Sequence, residues 1–187
     1  ASKSCLMMLS NKTSSLYSSK MFQVDGCDLQ MTNNLKDLGI LFNENLNFSD
    51  HISSIIQKFK RRLFLINKSF LVKYPSTLIF SFKTYILPIL EYASPVWSPH
   101  VIHDVIRIES VQRVFTKRLQ GFQHLPYRQR LKKAGLLTLE CRRLHADLIL
   151  CYKILRGLIE TTVSQFFIRD QNSITRGHEW KLKATRI

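Results

Sequence analysis

The chain has 187 residues and a net charge of +15, with 28 Lys and Arg against 13 Asp and Glu. An apolar content of 45%, including 12 Phe, is typical of a packed globule and excludes a disordered chain. Residues 1–50 carry four basic and five acidic side chains, whereas the remaining 137 carry 24 and 8 and so hold a net charge of +16. A field of this sign attracts polyanions, nucleic acid first and an anionic membrane second.

Cysteine and histidine predict neither disulfides nor a metal site. The four Cys are scattered, as expected of small core residues in a reducing compartment. Cys141 and His145 are four residues apart and could share a metal on a helix face, but no second ligand pair accompanies them. No apolar run reaches membrane-spanning length, and we expect no signal peptide. Because the chain begins with Ala, we expect a fragment of a longer protein.

The first strands are short and separated by polar residues. The run Cys5–Leu9 predicts a buried strand. Met21–Val24 and Leu29–Met31 flank an Asp-Gly pair, and Asp-Gly between short strands indicates a β-hairpin.

A strand, a turn and a helix start follow in one stretch. Alternation over Leu38–Phe42 predicts a strand, and Gly39 within it suggests close approach of another backbone or a ligand. Asn43–Asn45 has the composition of a turn. Ser49 or Asp50 is expected to cap the helix that follows.

Beyond residue 50 the apolar residues recur at helical spacing. The predicted segments are Asp50–Phe70, a helix opened by Pro75 and capped by Ser76, Asp104–Gln120 before Gly121, a short helix from Pro126 to Gly135, and a long one capped by Thr138 and ended by Gly157. On the last helix the expected buried stripe is Leu144, Leu148, Cys151 and Leu155.

Two features interrupt this helical region. Pro88 is expected to kink or end the second helix. Tyr92, Pro95 and Trp97 predict an aromatic corner that plugs the core, with stacking of Trp97 on nucleic acid as the alternative.

Basic side chains fall off the apolar stripes of two helices. They are Lys58, Arg61 and Arg62 on the first, and Arg113, Lys117 and Arg118, with Arg107, on the third. Such a face is either simply solvated or tracks phosphates.

Four segments carry a resemblance to a known family. They are LKDLGILFNENLNFSDHI at Leu35–Ile52, LEYASPVWSP at Leu90–Pro99, IESVQRVFTKRL at Ile108–Leu119, and the stretch Leu125–Leu155. In amino-acid sequence, order and spacing these segments resemble the reverse transcriptases of non-LTR, LINE-type retrotransposons, over about residues 3–178.

The resemblance implies an α+β fold, mostly α, with short antiparallel β-hairpins of the palm edge followed by a helical thumb bundle. Its parts would be the end of the palm at 1–48, the thumb at 49–167 and a basic, flexible tail at 168–187. Lys36, Asp37, Leu38 and Gly39 would form the primer-grip hairpin. Lys3 matches the lysine of the family's Asn-x-x-Lys motif, a possible general acid, although the Asn would precede Ala1.

The complete enzyme would be an RNA-directed DNA polymerase, a nucleotidyltransferase with two Mg²⁺ on palm aspartates. The family's Tyr-x-Asp-Asp pair is not in this sequence, so we expect no cofactor and no catalysis here. The implied task is to grip the primer end and clamp the template–primer duplex, with the remaining palm and fingers as further partners and no membrane. The implied location is a nuclear and cytoplasmic ribonucleoprotein.

Two alternatives remain open. One is a non-catalytic nucleic-acid-binding module from a decayed or domesticated element. The other is a basic helical surface that binds anionic membranes, which would require exposed apolar side chains opposite the basic face.

Overall fold

The computed structural model describes residues 4–9, 22–24, 26–170 and 180–183. Lys3 lies outside these residues. The strands are β1 (Cys5–Leu6), β2 (Gln23–Val24), β3 (Cys27–Asp28), β4 (Gln30–Met31), β5 (Asn34–Asp37) and β6 (Ile40–Asn43). The helices are α1 (Ser49–Ser69), α2 (Pro75–Ser81), α3 (Leu87–Glu91), α4 (Ser94–Trp97), α5 (Ile102–Lys117), α6 (Tyr127–Ala134) and α7 (Leu139–Leu155), followed by a 3₁₀ turn at Val163–Gln165. The fold is α+β and 54% helical, with short strand pairs before a helical region, which confirms the predicted class.

The first strands pair differently from the prediction. β2 and β3 form the expected hairpin, with Val24 opposite Cys27, so the returning strand is Cys27–Asp28 and not Leu29–Met31. The ladder closes directly after Gly26, whose φ of +74° suits a tight turn. β4 instead pairs in parallel with β1. The buried strand predicted over Cys5–Leu9 is wrong, because only two of its residues are strand and Cys5 is exposed.

β5 and β6 form an antiparallel hairpin that packs on α1. The strand predicted over Leu38–Phe42 is confirmed for Ile40–Phe42, but Leu38 and Gly39 form the turn between Asp37 and Ile40. Both turn residues have positive φ, +44° and +88°, as a two-residue hairpin turn requires. Ile40 is buried and anchors the hairpin in the core.

α1 follows the predicted bounds to within one residue. Its buried apolar residues are Ile52, Ile55, Phe59, Leu63 and Ile66. The predicted cap is wrong: the N-cap is Phe48, which makes no side-chain cap bond. The Ser49 hydroxyl instead donates to Asp104 Oδ2 at 2.5 Å, so it ties α1 to α5.

The second helix runs through Pro88 without ending. A π-helical turn at Phe82–Ile86 joins α2 to α3, and the Leu87 N–H donates to the Phe82 carbonyl. The disturbance expected from Pro88 therefore takes the form of a widened turn. Ser76 is not the cap, because Pro75 occupies the first helical position after Tyr74.

The centre of the core is aromatic. The rings of Phe82 and Phe115 stack with centroids 4.2 Å apart. Trp97 has no exposed surface, and its Nε1–H donates to the Tyr92 carbonyl at 2.7 Å. The prediction of a structural plug is confirmed, and the stacking alternative is wrong because a buried indole cannot reach a base.

The later helices start and stop near the predicted residues. α5 spans Ile102–Lys117, slightly before the expected segment. α6 begins after Pro126 and ends at Gly135, which has a φ of +61°. The Thr138 side chain accepts from the Cys141 N–H at 3.1 Å, which confirms the predicted cap of α7.

The buried stripe predicted for α7 is wrong. Leu144 and Leu148 are 55% and 58% exposed, whereas Leu139, Arg143 and Ile154 are buried. The face of α7 that packs on the bundle is the one with Leu139, Arg143 and Ile154, although a charged side chain lies in the middle of it.

Two further observations complete the fold. In the described part of residues 168–187, Arg169 pairs with Leu182, and the guanidinium groups of Arg156 and Arg169 lie 4.8 and 4.4 Å from the Trp180 ring centre. Among the described residues, no helix combines the length and apolarity needed to cross a membrane.

Candidate nucleic-acid interface

A cleft of about 540 Å³ opens between the β5–β6 turn, α1 and α3. We call it the hairpin cleft; the lining residues that matter below are Leu38, Gly39, His51, Lys58, Arg62 and Tyr92. It brings two residues of the predicted primer grip together with Lys58 and Arg62 of the basic residues predicted to bind nucleic acid. Among the described residues that line it, none is acidic.

Tyr92 holds the turn in place from the opposite wall. Its hydroxyl donates to the Leu38 carbonyl at 3.0 Å. A Cβ added to Gly39 would lie 3.7 Å from Tyr92 Cε1, which is an ordinary contact. The close approach predicted at Gly39 is made to the Tyr92 side chain. The Leu38 side chain is left 80% exposed at the mouth of the cleft.

His51 forms the floor and links the hairpin to the core. Its Nδ1 accepts the Leu41 N–H at 3.2 Å, and its ring meets the Trp97 ring edge-on at 5.4 Å. Burial lowers the pKa of His51, and the positive charge of Lys58 lowers it further. The imidazole is thus held neutral, which the bond from Leu41 requires, since a protonated Nδ1 cannot accept. Sequence patterning missed His51, although a His inside an apolar stripe is a usable signal.

Lys58 and Arg62 are the cationic residues of the cleft. They are one helical turn apart on α1, and both are exposed. Ile89 and Pro88 of the opposite wall are apolar. The arrangement suits a ligand with a phosphate on one side and an apolar edge on the other.

The other predicted basic residues lie elsewhere. Arg61 and Lys117 are exposed and line no described cleft. Arg113 stacks over the Tyr127 ring, 4.6 Å from its centre. Arg118 lines a separate groove between α1 and α5. Lys36 and Asp37, from the predicted primer grip, are exposed on β5 next to the turn.

Arg107 is not part of the basic outer surface expected for α5. Its Nη1 donates to Asp104 Oδ1 at 2.8 Å and its Nη2 to Ser53 Oγ at 2.7 Å. Burial alone would raise the pKa of Asp104, but the hydrogen bonds from Ser49 and Arg107, with the Arg107 charge, lower it. This network locks α1 against α5 and so fixes which face of α1 turns to the hairpin cleft.

A second buried network holds α6 and α7. The Tyr127 hydroxyl donates to Glu109 Oε1, and the Leu139 N–H donates to Glu109 Oε2 at 3.0 Å. Gln112 Nε2 donates to the Leu137 carbonyl at 2.8 Å and to the Tyr127 hydroxyl at 3.0 Å. Burial and the bond to Glu109 raise the pKa of Tyr127, so the phenol stays protonated. Sequence patterning found only the apolar part of this face.

The described residues contain no group of three or more His, Cys, Asp or Glu that could hold a metal ion. Cys141 Sγ and His145 Nε2 lie 3.9 Å apart as a pair. The Asp104 and Glu109 carboxylates accept hydrogen bonds that join α5 to α1 and to α7.

Comparison with known proteins gave no match, neither to a family model, nor to a curated protein, nor to a solved structure.

Proposed function

We propose that the chain is the palm edge and thumb of a non-LTR retrotransposon reverse transcriptase, which grips the primer end and clamps the template–primer duplex. The hairpin cleft carries this proposal, because an exposed Leu38–Gly39 turn shares it with Lys58 and Arg62. The resemblance of four segments to the family and the net charge of +16 beyond residue 50 point the same way.

A duplex clamp needs charge and shape rather than base readout. An RNA–DNA hybrid presents a regular array of phosphates on a roughly A-form helix. Lys58 and Arg62 would neutralise phosphates, and the apolar turn would contact the edge of the sugar that joins two neighbouring phosphates. A clamp of this kind binds unrelated sequences alike and weakens as salt rises.

Nucleotidyl transfer would belong to the rest of the enzyme. The two Mg²⁺ would be held by palm aspartates that this sequence does not contain. The role of this chain would be to hold the primer terminus where that chemistry takes place. We expect no primer extension from the chain alone.

Photocrosslinking from the turn tests the proposal. A benzophenone side chain in place of Leu38, which is 80% exposed, should crosslink to the primer strand of an RNA–DNA hybrid with a recessed primer end. The crosslinks should fall within the last few nucleotides of that strand. The control carries the same group at Leu144, which is 55% exposed on α7 and should crosslink weakly.

The distribution of crosslinks along the primer strand also distinguishes the primer grip from the alternative function. A non-catalytic binding module from a decayed element would crosslink along the duplex without preference for the primer end. Equal yields from positions 38 and 144 would contradict any role for the hairpin cleft.

A further inference from the structure

A second surface on α1 has a different composition from the hairpin cleft. Two adjoining cavities, of about 480 and 260 Å³, run between α1 and α5 and share Leu63, Asn67 and Arg118. Together we call them the outer groove. It shares no lining residue with the hairpin cleft.

The floor of the outer groove is apolar. Phe59, Leu63 and Val111 are buried beneath it, while Phe64 and Val114 stand 65% and 44% exposed along it. Phe64 and Val114 therefore present exposed apolar surface beside a buried apolar floor, and this composition suits contact with another apolar surface. Phosphates and bases of a duplex would gain little from such a floor.

The rim of the outer groove is basic. Lys60, Lys73 and Arg118 border it, and among the described lining residues none is acidic. The fourth cation, Arg107, is already paired with Asp104. An occupant that complements this rim must carry carboxylates beside its apolar side chains.

The dimensions suit a helix. Along α1 the groove extends from Ile56 to Asn67, which is about 16 Å or three helical turns. An amphipathic helix of that length places apolar side chains at i, i+3 or i+4, and i+7 into such a groove. Its flanking positions then face the rim.

We propose that the outer groove binds an acidic amphipathic helix of a protein partner, on a face of α1 different from that of the hairpin cleft. The occupant inserts two or three apolar side chains over Phe64 and Val114, and its Glu or Asp residues pair with Lys60, Lys73 and Arg118. The chain thus has a protein-binding surface separate from the surface proposed for nucleic acid.

Selection from a peptide library tests the proposal. The library has helical peptides of about four turns, with apolar residues at the spacing above and Glu, Lys or Gln in between. Against the intact chain we expect enrichment of Glu over Lys at the flanking positions. The selected peptide should bind at least about ten-fold more tightly than its copy with every Glu changed to Lys, and higher salt should narrow that difference.

Matched variants locate the bound peptide. Phe64→Ala and Lys60→Glu should each weaken the selected peptide about ten-fold, as truncation of a central contact does. Phe80→Ala and Lys153→Glu are the controls, since Phe80 is 68% exposed on α2 and Lys153 is exposed on α7, and neither lines the groove. Because all four side chains are exposed, circular dichroism should show an unchanged fold.

Three results would overturn the proposal. One is a selected consensus with no preference for Glu, and another is an unchanged affinity of the Phe64→Ala variant. The third is displacement of the peptide by an RNA–DNA hybrid, together with a Phe64→Ala variant that loses as much affinity for the hybrid as for the peptide. That result would show that the groove binds nucleic acid. Loss of hybrid binding by hairpin-cleft variants, with peptide binding intact, would support two separate surfaces.

Discussion

Removing the two cations of the hairpin cleft should flatten the salt dependence of duplex binding. The perturbation is Lys58→Ala with Arg62→Ala, since these are the basic residues that line the cleft beside the Leu38–Gly39 turn. Each phosphate contact contributes about 0.9 to the slope of log affinity against log salt on a B-form duplex. If the parent chain neutralises about five phosphates, its slope is about −4 to −5, and the double variant should lose about 1.8.

This change in slope is large enough to measure. A fourfold rise in salt should weaken the parent chain about 12-fold more than it weakens the variant. The assay is fluorescence anisotropy with two RNA–DNA hybrids of unrelated sequence and one DNA duplex, titrated at several salt concentrations. A backbone clamp predicts nearly equal slopes on the two hybrids.

A charge-matched pair on the same helix serves as the control. Arg61→Ala with Lys68→Ala removes two exposed cations of α1 that do not line the hairpin cleft. We expect its slope to change by less than about half a unit, from the loss of distant charge alone. The reasoning is refuted if the control pair flattens the slope as much as the cleft pair, or if the cleft pair leaves it unchanged. A strong preference for one hybrid would equally contradict a backbone clamp.

Three predictions concern what holds the cleft together. Because folding lowers the pKa of His51, the unfolded chain binds the proton more readily, and the free energy of unfolding should fall as pH drops below the ordinary value of 6.5. In urea titrations His51→Gln should reduce this loss of stability, and an identical pH dependence in variant and parent would contradict the prediction. Asp104→Ala should reduce the free energy of unfolding by about 2–3 kcal/mol at neutral pH, and because the pKa of Asp104 is lowered, this contribution should be lost only as pH falls below the ordinary value of 3.8. Equal stability of variant and parent at pH 7 would contradict the network. Gly39→Ala should lower the free energy of unfolding by about 1–2 kcal/mol, because Ala is strained at a φ of +88°, and it should weaken hybrid binding by displacing the turn. A variant as stable as the parent would contradict this prediction.

The helices that sequence predicts well are those with one apolar stripe. α1 has a single stripe of five buried residues, and the predicted bounds were correct to within a residue. The burial of Trp97 was predictable because a large aromatic side chain in a tight, proline-containing corner packs most readily into the core. In both cases the local pattern and the tertiary packing favour the same answer.

Prediction fails where two answers satisfy the local pattern. On α7 the apolar residues Leu144 and Leu148 are exposed, whereas the buried face includes the charged Arg143 and contacts α3, α4 and α5. The sequence suggests that Arg107 is a solvated cation, whereas in the structure it forms an ion pair with the buried Asp104. The Ser49 hydroxyl looks like a cap, but its partner lies 55 residues away on another helix.

The candidate site shows the same division. The excess of Lys and Arg off the apolar stripes is visible in sequence. Which of those cations share a cleft depends on how α1 is rotated against β6 and α3, and that rotation is set by long-range contacts. Lys58 and Arg62 line the same cleft as the Leu38–Gly39 turn, whereas Arg61, between them in sequence, does not line it.

The π-helical turn at Phe82–Ile86 has a consequence for how related chains can differ in length. Leu78, Phe82, Ile86 and Leu90 are all buried although they follow at intervals of four, a spacing that drifts about 120° over three steps of a regular α-helix. The wide turn absorbs one residue, or about 100°, and so returns Leu90 to the face of Leu78. Deleting one residue here would keep that phase, but the regular helix would then meet Pro88, which has no N–H to donate and whose ring clashes with the preceding turn. The inserted residue and the proline should therefore be gained or lost together.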